Sequence, residues 1–357
     1  MGERILMKGN EAIGEAAIRA GCRYFFGYPI TPQNEIPEYL SRRLPEVGGV
    51  FLQAESEVAA INMVYGAAGA GARVMTSSSS PGISLKQEGL SYLAGAELPC
   101  VVVNIIRGGP GLGGIQPAQS DYFQATRGGG HGDYRTPVFG PASIQEMVEL
   151  VMEAFEVADR YRNPVMVVGD GILGQMMEPV VLPDPKPLDS LPAKPWATTG
   201  NQGRPPNVIN SLFLDANLCS RHNEHLQEKY REICRREVRY ELVDPEGAEI
   251  YFVAYGTTSR VVRSVMNRAR EEGIITGLIR PITLWPFPQE PFERVVERAK
   301  AFLCVEMSAG QMVEDVRLAV NGRRPVHFYG RTGGVVPSPA EIADALRKVL
   351  EGRDPGA

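Results

Sequence analysis

The feature that most constrains the fold is an almost entirely apolar segment, Cys100–Ile106, with the sequence CVVVNII. A strand that is apolar at consecutive positions is buried on both faces, which is typical of a parallel sheet covered by helices on both sides. Other short runs of this kind alternate with helical patterns, and the alternation predicts a doubly wound parallel α/β sheet. The further strands are expected at residues 24–27, 50–53, 73–77 and 165–168, the helices at residues 10–20, 33–43, 55–71, 89–96 and 143–161, and a loop at residues 78–82.

The alternating pattern stops at about residue 176 and resumes near residue 249. Residues 176–206 are dense in proline and polar residues, which indicates a connecting arm that lies across a surface. Residues 217–241 carry many charges at helical i,i+4 spacing and predict a solvated helix. The expected division is therefore residues 1–175, 176–245 and 246–357, the last being a second α/β unit. Its strands are expected at residues 249–254, 276–279, 301–306 and 326–329, and its helices at residues 259–272, 289–299, 311–320 and 339–350.

Composition excludes several functional classes. The chain has 357 residues and a formal net charge of −5, so it has no general attraction to nucleic acid or anionic membranes. No stretch approaches the ~18 consecutive apolar residues of a membrane span, and the N-terminus lacks the apolar segment of a signal peptide, so a soluble cytoplasmic protein is expected. None of the five cysteines lies in a C-x-x-C pair, which argues against disulfides and against a zinc or iron–sulfur site held by this chain alone.

Several motifs imitate known sites without their context. Residues 109–114 (GPGLGG) satisfy G-x-G-x-x-G, but no helical pattern follows, as a dinucleotide-binding site would require. Residues 169–171 (GDG) are not followed by paired asparagines, so a strand-end turn is expected in place of a metal–diphosphate site. Residues 128–133 (GGGHGD) predict a flexible loop, or a lid if a site is near. His222 and His225 lack a third ligand at metal-site spacing and are expected on a solvated helix face.

Two polar residues stand at helix starts. Thr31 lies between prolines in Y-P-I-T-P, after a predicted strand and before a helix, where ligands bind in parallel sheets. A helix-capping hydroxyl is the alternative explanation. Glu57 opens a helix rich in small residues, where the helix dipole alone favours a carboxylate. Its apolar neighbours predict partial burial, and a buried carboxylate needs a partner or a raised pKa.

Arg107 is the first charged residue after the apolar segment Cys100–Ile106, and two glycines follow it. An arginine at the carboxyl end of a buried strand, beside glycines that let a ligand approach closely, suits a bidentate clamp for a carboxylate. The alternative is an arginine that pairs with a structural carboxylate of the same chain, and the residues alone leave both possibilities open.

Taken in order, three segments resemble the alpha subunit of the 2-oxoacid:ferredoxin oxidoreductases: FFGYPITPQNEI at residues 25–36, AESEVAAINMVYGAAGAGA at 54–72, and SSSSPGISLKQEGLSYLAGAELPCVVVNIIRGGPGLGG at 77–114. Residues 107–135 are most similar to the branched-chain (2-oxoisovalerate) type, with the 2-oxoglutarate type as the close relative. Residues 277–316 (GLIRPITLWPFP and VVERAKAFLCVEMSAGQMVEDV) resemble the family's second domain, which is related to the transketolase C-terminal domain.

The resemblance implies roles for individual residues. It implies an N-terminal domain that binds the pyrimidine half of thiamine diphosphate, with Glu57 contacting N1′ of the aminopyrimidine ring as the catalytic acid. Pro29 and Ile30 are expected to contact the cofactor as well. Thr31 and Arg107 are expected to bind the carboxylate of the substrate.

The resemblance also implies partners. The diphosphate and magnesium are expected on a beta subunit and the iron–sulfur clusters on the beta and ferredoxin-like subunits, with a gamma subunit and in some assemblies a delta subunit. The implied reaction is oxidative decarboxylation of a 2-oxoacid such as 3-methyl-2-oxobutanoate to the acyl-CoA and CO2, with electrons passing to ferredoxin. The alternatives are 2-oxoglutarate as the substrate, a nucleotide-dependent dehydrogenase built on the glycine loop, and a non-catalytic docking subunit.

Overall fold

The computed structural model describes residues 3–355 as two larger sheets, a two-stranded sheet and surrounding helices. The strands are β1 Arg4–Lys8, β2 Tyr24–Gly27, β3 Val50–Gln53, β4 Val74–Ser78, β5 Cys100–Ile106, β6 Val138–Phe139, β7 Pro164–Asp170, β8 Met177–Val181, β9 Tyr240–Val243, β10 Ile250–Val253, β11 Thr276–Pro281, β12 Thr283–Trp285, β13 Ala301–Glu306 and β14 Val326–Gly330. The helices are α1 Gly9–Arg19, α2 Glu35–Glu46, α3 Glu57–Gly69, α4 Pro81–Gly95, α5 Tyr122–Arg127, α6 Ile144–Tyr161, α7 Gly171–Gln175, α8 Ala216–Arg236, α9 Gly256–Glu271, α10 Glu290–Val295, α11 Met312–Val320 and α12 Pro339–Leu350.

The apolar segment β5 is the middle strand of the first sheet, whose order is β12-β6-β7-β5-β4-β2-β3. All seven of its residues are buried, and it pairs in parallel with β4 and β7. Helices α1, α2 and α6 cover one face, and α3, α4 and the second sheet cover the other. The predicted doubly wound parallel sheet is therefore confirmed, apart from the antiparallel edge strand β12.

The second sheet has the order β14-β13-β10-β11-β9, in which only β9 is antiparallel to its neighbour. It packs against the first sheet through a shared core that includes Tyr251 and Phe302, and α9 and α12 contribute to a separate core on its other face. The second unit also contributes one strand to the first sheet, because Thr283–Trp285 pairs with β6. The domain limits at residues 175 and 245 stay predictions.

Three local expectations were wrong. Helix α4 begins at Pro81 and not at residue 89, because a proline in the first turn starts a helix within what looked like a loop. The arm does not begin at residue 176, since Met177–Val181 forms a strand antiparallel to β1. The charged helix ends at Arg236 and not at residue 241, because β9 begins at Tyr240.

The proline-rich arm beyond β8 lies across the ends of the first-sheet helices that are remote from the carboxyl edge of the strands. Glycines make room for it, because a Cβ at Gly21 would lie 3.1 Å from Leu191 and a Cβ at Gly71 would lie 2.8 Å from Ala197. Within residues 3–355, none of the helices combines the length and the apolar character that crossing a membrane would require.

Candidate functional site

The three singled-out residues follow different strands of the first sheet and meet at one edge. Thr31 follows β2, Glu57 follows β3 and Arg107 follows β5. Because these strands are parallel, their carboxyl ends lie together, and ligands of such sheets bind at this edge. Distant segments of the sequence thereby form a single site.

Glu57 is the first residue of α3 and is only 6% exposed. The side chain of Ser56 caps this helix by accepting a hydrogen bond from the main-chain nitrogen of Ala59 at 3.2 Å. Across residues 3–355, no side chain or main-chain group donates a hydrogen bond to the Glu57 carboxylate, and no ion pair reaches it. A buried carboxylate in this condition is able to accept a proton or a hydrogen bond from a ligand.

The start of α4 forms the wall beside this carboxylate. A Cβ on Gly82 would lie 2.5 Å from Oε1 of Glu57 and 2.0 Å from Oγ of Ser78, so only glycine leaves the room that both side chains need. The hydroxyls of Ser78 and Ser79 are buried and have no hydrogen-bond partner. The site thus contains a buried acid and two unpaired hydroxyls, and buried polar groups without partners call for an explanation.

Lys86 lies in the same helix and is fully buried. Its ammonium donates hydrogen bonds to Oγ1 of Thr76 at 2.6 Å and to the main-chain oxygen of Ser77 at 3.1 Å. Burial lowers the pKa of Lys86 to about 7, while the charge of Glu57 opposes that shift. Sequence reasoning missed this lysine, although a cation among the small and apolar residues of PGISLKQEGL could have signalled it.

The turn that carries Thr31 is held by two amides. Nδ2 of Asn10 and Nε2 of Gln175 donate hydrogen bonds to the main-chain oxygen of Pro32 at 2.8 and 3.0 Å, and both also donate to Glu35. Thr31 itself is exposed, and its hydroxyl accepts one long hydrogen bond of 3.4 Å from Asn34. Because α2 begins at Glu35, Thr31 does not cap it, and the capping explanation is wrong.

Arg107 is 7% exposed, and its guanidinium joins two loops. Nη1 donates a hydrogen bond to the main-chain oxygen of Thr31 at 2.9 Å, and Nη2 donates to the main-chain oxygen of Leu112 at 3.1 Å. Nε is buried without a partner. No carboxylate among residues 3–355 pairs with this cation, so the structural ion pair considered from the sequence is wrong.

A polar network fixes the main chain around Arg107. Ser80 adopts φ 25°, which is strained for a residue with a side chain, and its hydroxyl contacts Asp121 at 2.6 Å. The main-chain nitrogen of Arg107 donates to that hydroxyl at 3.0 Å, and Asn104 donates to Asp121 at 3.0 Å. Burial raises the pKa of the Asp121 carboxyl. Such strain persists where surrounding contacts enforce it, commonly at functional sites.

A cleft of about 600 Å³ opens beside Thr31. None of the side chains that line it is charged, and most of them are apolar. The residues that line the cleft are Thr31, Pro32, Ile115, Gln116, Pro117, Gly171, Ile172, Gln175 and Met176. The cleft therefore suits an aliphatic group better than an anionic one.

The remaining predicted positions have simpler roles. Pro29 is exposed and Ile30 half-buried in the turn before Thr31, and their cofactor contacts stay predictions. Residues 109–116 form an exposed loop, and the next helix begins only at Tyr122. Asp170 ends β7 and caps α7 by accepting hydrogen bonds from Ile172 and Leu173 at 2.9 and 3.3 Å, so residues 169–171 lie where the strand passes directly into a helix and not in a separate turn.

Residues 128–133 are held against α4, since the main-chain nitrogen of Gly129 donates to Oε1 of Gln87 at 2.9 Å. On α8, His222 contacts the main-chain oxygen of Gly95 at 2.7 Å and His225 contacts Glu97 at 3.0 Å, so both histidines join α8 to the end of α4. Within residues 3–355, no three His, Cys, Asp or Glu side chains are grouped so that they could hold a metal ion.

Comparison with protein families gives two matches that together span most of the chain. Residues 15–239 match the thiamine diphosphate-binding domain of pyruvate flavodoxin/ferredoxin oxidoreductases. Residues 248–342 match core domain II of pyruvate:ferredoxin oxidoreductase. The edge that contains Thr31, Glu57 and Arg107 lies within the first of these regions.

Two curated relatives share nearly the whole length of the chain. A ketoisovalerate oxidoreductase subunit from Methanothermobacter thermautotrophicus is 53% identical over 346 residues, covering 97% of each chain. A 2-oxoglutarate synthase subunit from the same organism is 37% identical, covering 98% of this chain and all of its own length.

Solved structures show the same architecture. The 2-oxoglutarate:ferredoxin oxidoreductase from Magnetococcus marinus superposes with a TM-score of 0.85 and 28% identity over 97% of this chain, which spans 65% of that longer chain. A split-gene transketolase superposes with a TM-score of 0.61 and 15% identity over 98% of this chain and 99% of its own, and that likeness shows the fold alone. The expected combination of a thiamine diphosphate-binding sheet and a transketolase-like second unit is thereby confirmed.

Proposed function

Since this chain belongs to the 2-oxoacid:ferredoxin oxidoreductase family and carries its thiamine diphosphate-binding domain, we propose that it is the alpha subunit of an enzyme that oxidatively decarboxylates a branched-chain 2-oxoacid. The proposed substrate is 3-methyl-2-oxobutanoate, converted to its acyl-CoA and CO2 with electrons passing to ferredoxin. The observation that carries the catalytic assignment is the buried Glu57 carboxylate, which no other group of residues 3–355 satisfies.

The residues around Glu57 fit the pyrimidine half of the cofactor. A carboxylate that accepts no hydrogen bond from the protein is available to N1′, and the glycine at position 82 leaves space beside it. When bound, thiamine diphosphate supplies the nucleophilic carbon and the electron sink for decarboxylation. Glu57 would hold a proton at N1′ in a site where burial limits competition from water.

Arg107 and Thr31 would position the substrate carboxylate. The Arg107 guanidinium is buried without a counter-charge, and a buried cation is stabilised by an anion that arrives with the ligand. Nε lacks an acceptor, and the exposed Thr31 hydroxyl lies beside the cleft. Holding the substrate in one orientation is itself a large contribution to catalysis.

The lining of the cleft supports a branched aliphatic substrate over 2-oxoglutarate. The second carboxylate of 2-oxoglutarate would need a cationic partner, and the cleft beside Thr31 provides no charged side chain. The higher identity to the ketoisovalerate oxidoreductase subunit, 53% against 37%, favours the same choice.

Partner subunits are part of the proposal, because the relatives are named as subunits. On α3, which begins with Glu57, Val58 is 45% exposed and Asn62 and Gly66 are exposed as well. We assign this face to a beta subunit that holds the diphosphate, the magnesium ion and iron–sulfur clusters. The proposed assembly also contains gamma and ferredoxin-like delta subunits, and it uses coenzyme A as a substrate and ferredoxin as the electron acceptor. The cytoplasmic location stays a prediction.

The test is purification of the native complex and assay of its activity with a panel of 2-oxoacids and a viologen acceptor. We expect bound thiamine diphosphate, iron–sulfur clusters and the highest kcat/KM for branched-chain substrates. Glu57→Gln in the reconstituted complex should abolish turnover while leaving assembly intact. A cofactor-loaded complex that oxidises no 2-oxoacid would favour the docking-subunit alternative, and unchanged turnover in the Glu57→Gln variant would remove the role of Glu57.

A further inference from the structure

Lys86 is a buried cation that the proposed mechanism does not use. Its side chain has no exposed surface, and its ammonium contacts only a hydroxyl and a main-chain oxygen of β4, those of Thr76 and Ser77. No carboxylate among residues 3–355 lies within ion-pair distance of it. Burying an amine in this way is costly when it is charged, so the position calls for a reason.

Two titratable groups face Lys86, and they come from different elements. Glu57 at the start of α3 and Cys100 at the start of β5 both favour the charged ammonium. Burial raises the pKa of the Cys100 thiol to about 12, so that thiol is neutral at pH 7. Gly82 lies one turn before Lys86 in α4, and a Cβ there would lie 2.5 Å from Oε1 of Glu57, so the Glu57 carboxylate lies against the helix that carries the ammonium.

We propose that Lys86 is a positioning residue that balances the charge of Glu57 and releases its proton when the pyrimidine ring of the cofactor binds there. This inference rests on the proposed function, because it requires Glu57 to meet the pyrimidine ring. Lys86 would not touch the cofactor and would act through Glu57 alone.

The protons and charges balance in two states. Without the ring and below about pH 7, Lys86 is an ammonium whose charge Glu57 supports. If the ring were bound, one proton from solvent would be shared between the Glu57 carboxylate and N1′, and the negative charge that supported Lys86 would be neutralised. The pKa of Lys86 would then fall, and its ammonium would release its proton to solvent. The buried cluster is electrically neutral in both states, which a low-dielectric environment favours.

The test is a count of the protons exchanged when magnesium and thiamine diphosphate bind to the cofactor-stripped complex. Calorimetric titrations in two buffers of different ionisation enthalpy give this number without any turnover. Lys86→Met, which has a similar length and no charge, should take up more protons than the wild type, by about half a proton at pH 7. The difference should persist at pH 6 and vanish by about pH 9, where Lys86 is already neutral.

Three further variants separate the possible outcomes. Glu57→Gln, introduced into the wild type and into the Lys86→Met variant, should make their proton counts equal, because the group that links Lys86 to the ring is gone. Thr76→Val removes one acceptor from the ammonium and should give an intermediate proton count, which keeps the test open if Lys86→Met does not assemble. Lys86→Gln provides a second uncharged side chain.

Equal proton counts in the wild type and Lys86→Met at pH 6 and 7 would overturn the inference. That result would leave the proposed function intact, provided that the cofactor binds and Glu57→Gln weakens its binding. If the wild-type complex binds no thiamine diphosphate, the proposed function itself fails. A purely structural lysine would change the thermal stability of the complex without changing the pH dependence of the proton count.

Discussion

Arg107 and Thr31, which lie 76 residues apart in the sequence, are joined by a hydrogen bond of 2.9 Å from Nη1 to the main-chain oxygen. This bond connects the turn after β2 to the end of β5, and a second bond from Nη2 holds the glycine loop at Leu112. One planar guanidinium therefore sets the spacing between two loops that border the cleft. A lysine side chain has no planar group that could donate these two hydrogen bonds in the same geometry.

Replacing Arg107 by lysine should therefore damage substrate binding. A lysine ammonium would not reproduce the two simultaneous hydrogen bonds, and the loops beside the cleft would shift. We expect kcat/KM for the 2-oxoacid to fall by about 10- to 100-fold, with most of the change in KM. Steady-state assays of the reconstituted complex measure this. The control is Arg323→Lys at an exposed position, and equal kinetics in the two variants would contradict the assignment.

Substituting Gly82 by alanine should disturb the Glu57 pocket. The added Cβ would collide with Oγ of Ser78 and Oε1 of Glu57, so the unfolding free energy should fall by about 1–3 kcal/mol. Thiamine diphosphate affinity of the complex should fall as well. Gly66→Ala is the matched control in α3, because its Cβ would meet no atom within 4 Å, and it should stabilise the isolated chain by about 0.5–1 kcal/mol. Denaturant unfolding of the isolated chain distinguishes the two, and a neutral Gly82→Ala would show that the pocket relaxes.

The stability of the chain should depend on pH through Lys86. Because its pKa in the folded protein is lowered from 10.5 to about 7, the folded state binds fewer protons than the unfolded chain between those values. The unfolding free energy of the wild type should therefore rise relative to that of Lys86→Met as the pH increases from 7 towards 10. The wild type should be least stable relative to Lys86→Met at or below pH 7. Urea unfolding of both proteins across this range provides the measurement, and parallel curves would show that Lys86 keeps an ordinary pKa.

The uncharged cleft should determine substrate preference. Ile115 is 56% exposed at its rim, so an arginine at this position can reach inward without disturbing the core. Ile115→Arg should raise the kcat/KM ratio of 2-oxoglutarate to 3-methyl-2-oxobutanoate by about tenfold, since a second carboxylate gains a cationic partner. Leu112→Arg in the same loop does not line the cleft and is the control. Equal ratios in the two variants would place the aliphatic group of the substrate elsewhere.

The two sheets should come apart more easily without Glu146. Arg280 of β11 is 7% exposed and contacts both oxygens of Glu146 on α6, at 2.8 and 2.9 Å. Arg280 also pairs with Glu241 at 2.8 Å, so Glu146→Gln removes one of the two carboxylate charges that stabilise this buried cation, the one on the first unit. We expect a loss of about 1–3 kcal/mol in unfolding free energy. Arg347→Met breaks a pair with Glu272 in which both side chains are 54% exposed, and it should leave stability unchanged. A larger loss in Arg347→Met would contradict this ranking.

The sequence predicted the elements whose signal is local. The apolar runs predicted β5 and the strands beside it, and Thr31 and Arg107 were each expected at the end of a predicted strand. Signals that depend on partners were missed. No local pattern near Thr283 predicts that this segment pairs with the first sheet, because β12 is only three residues long and is stabilised by its pairing with β6. The start of α4 was hidden by serines and a proline that also occur in loops.

The sequence by itself determined the alternation of strands and helices, and with it the strand ends that Thr31 and Arg107 follow, because periodicity is a property of neighbouring residues. Only the tertiary structure decided that Lys86 is fully buried near Glu57, that Gly82 leaves space for its carboxylate, and that Arg107 has no acidic partner. Burial and charge pairing depend on which distant segments pack together, and this information is not contained in any local stretch of the chain.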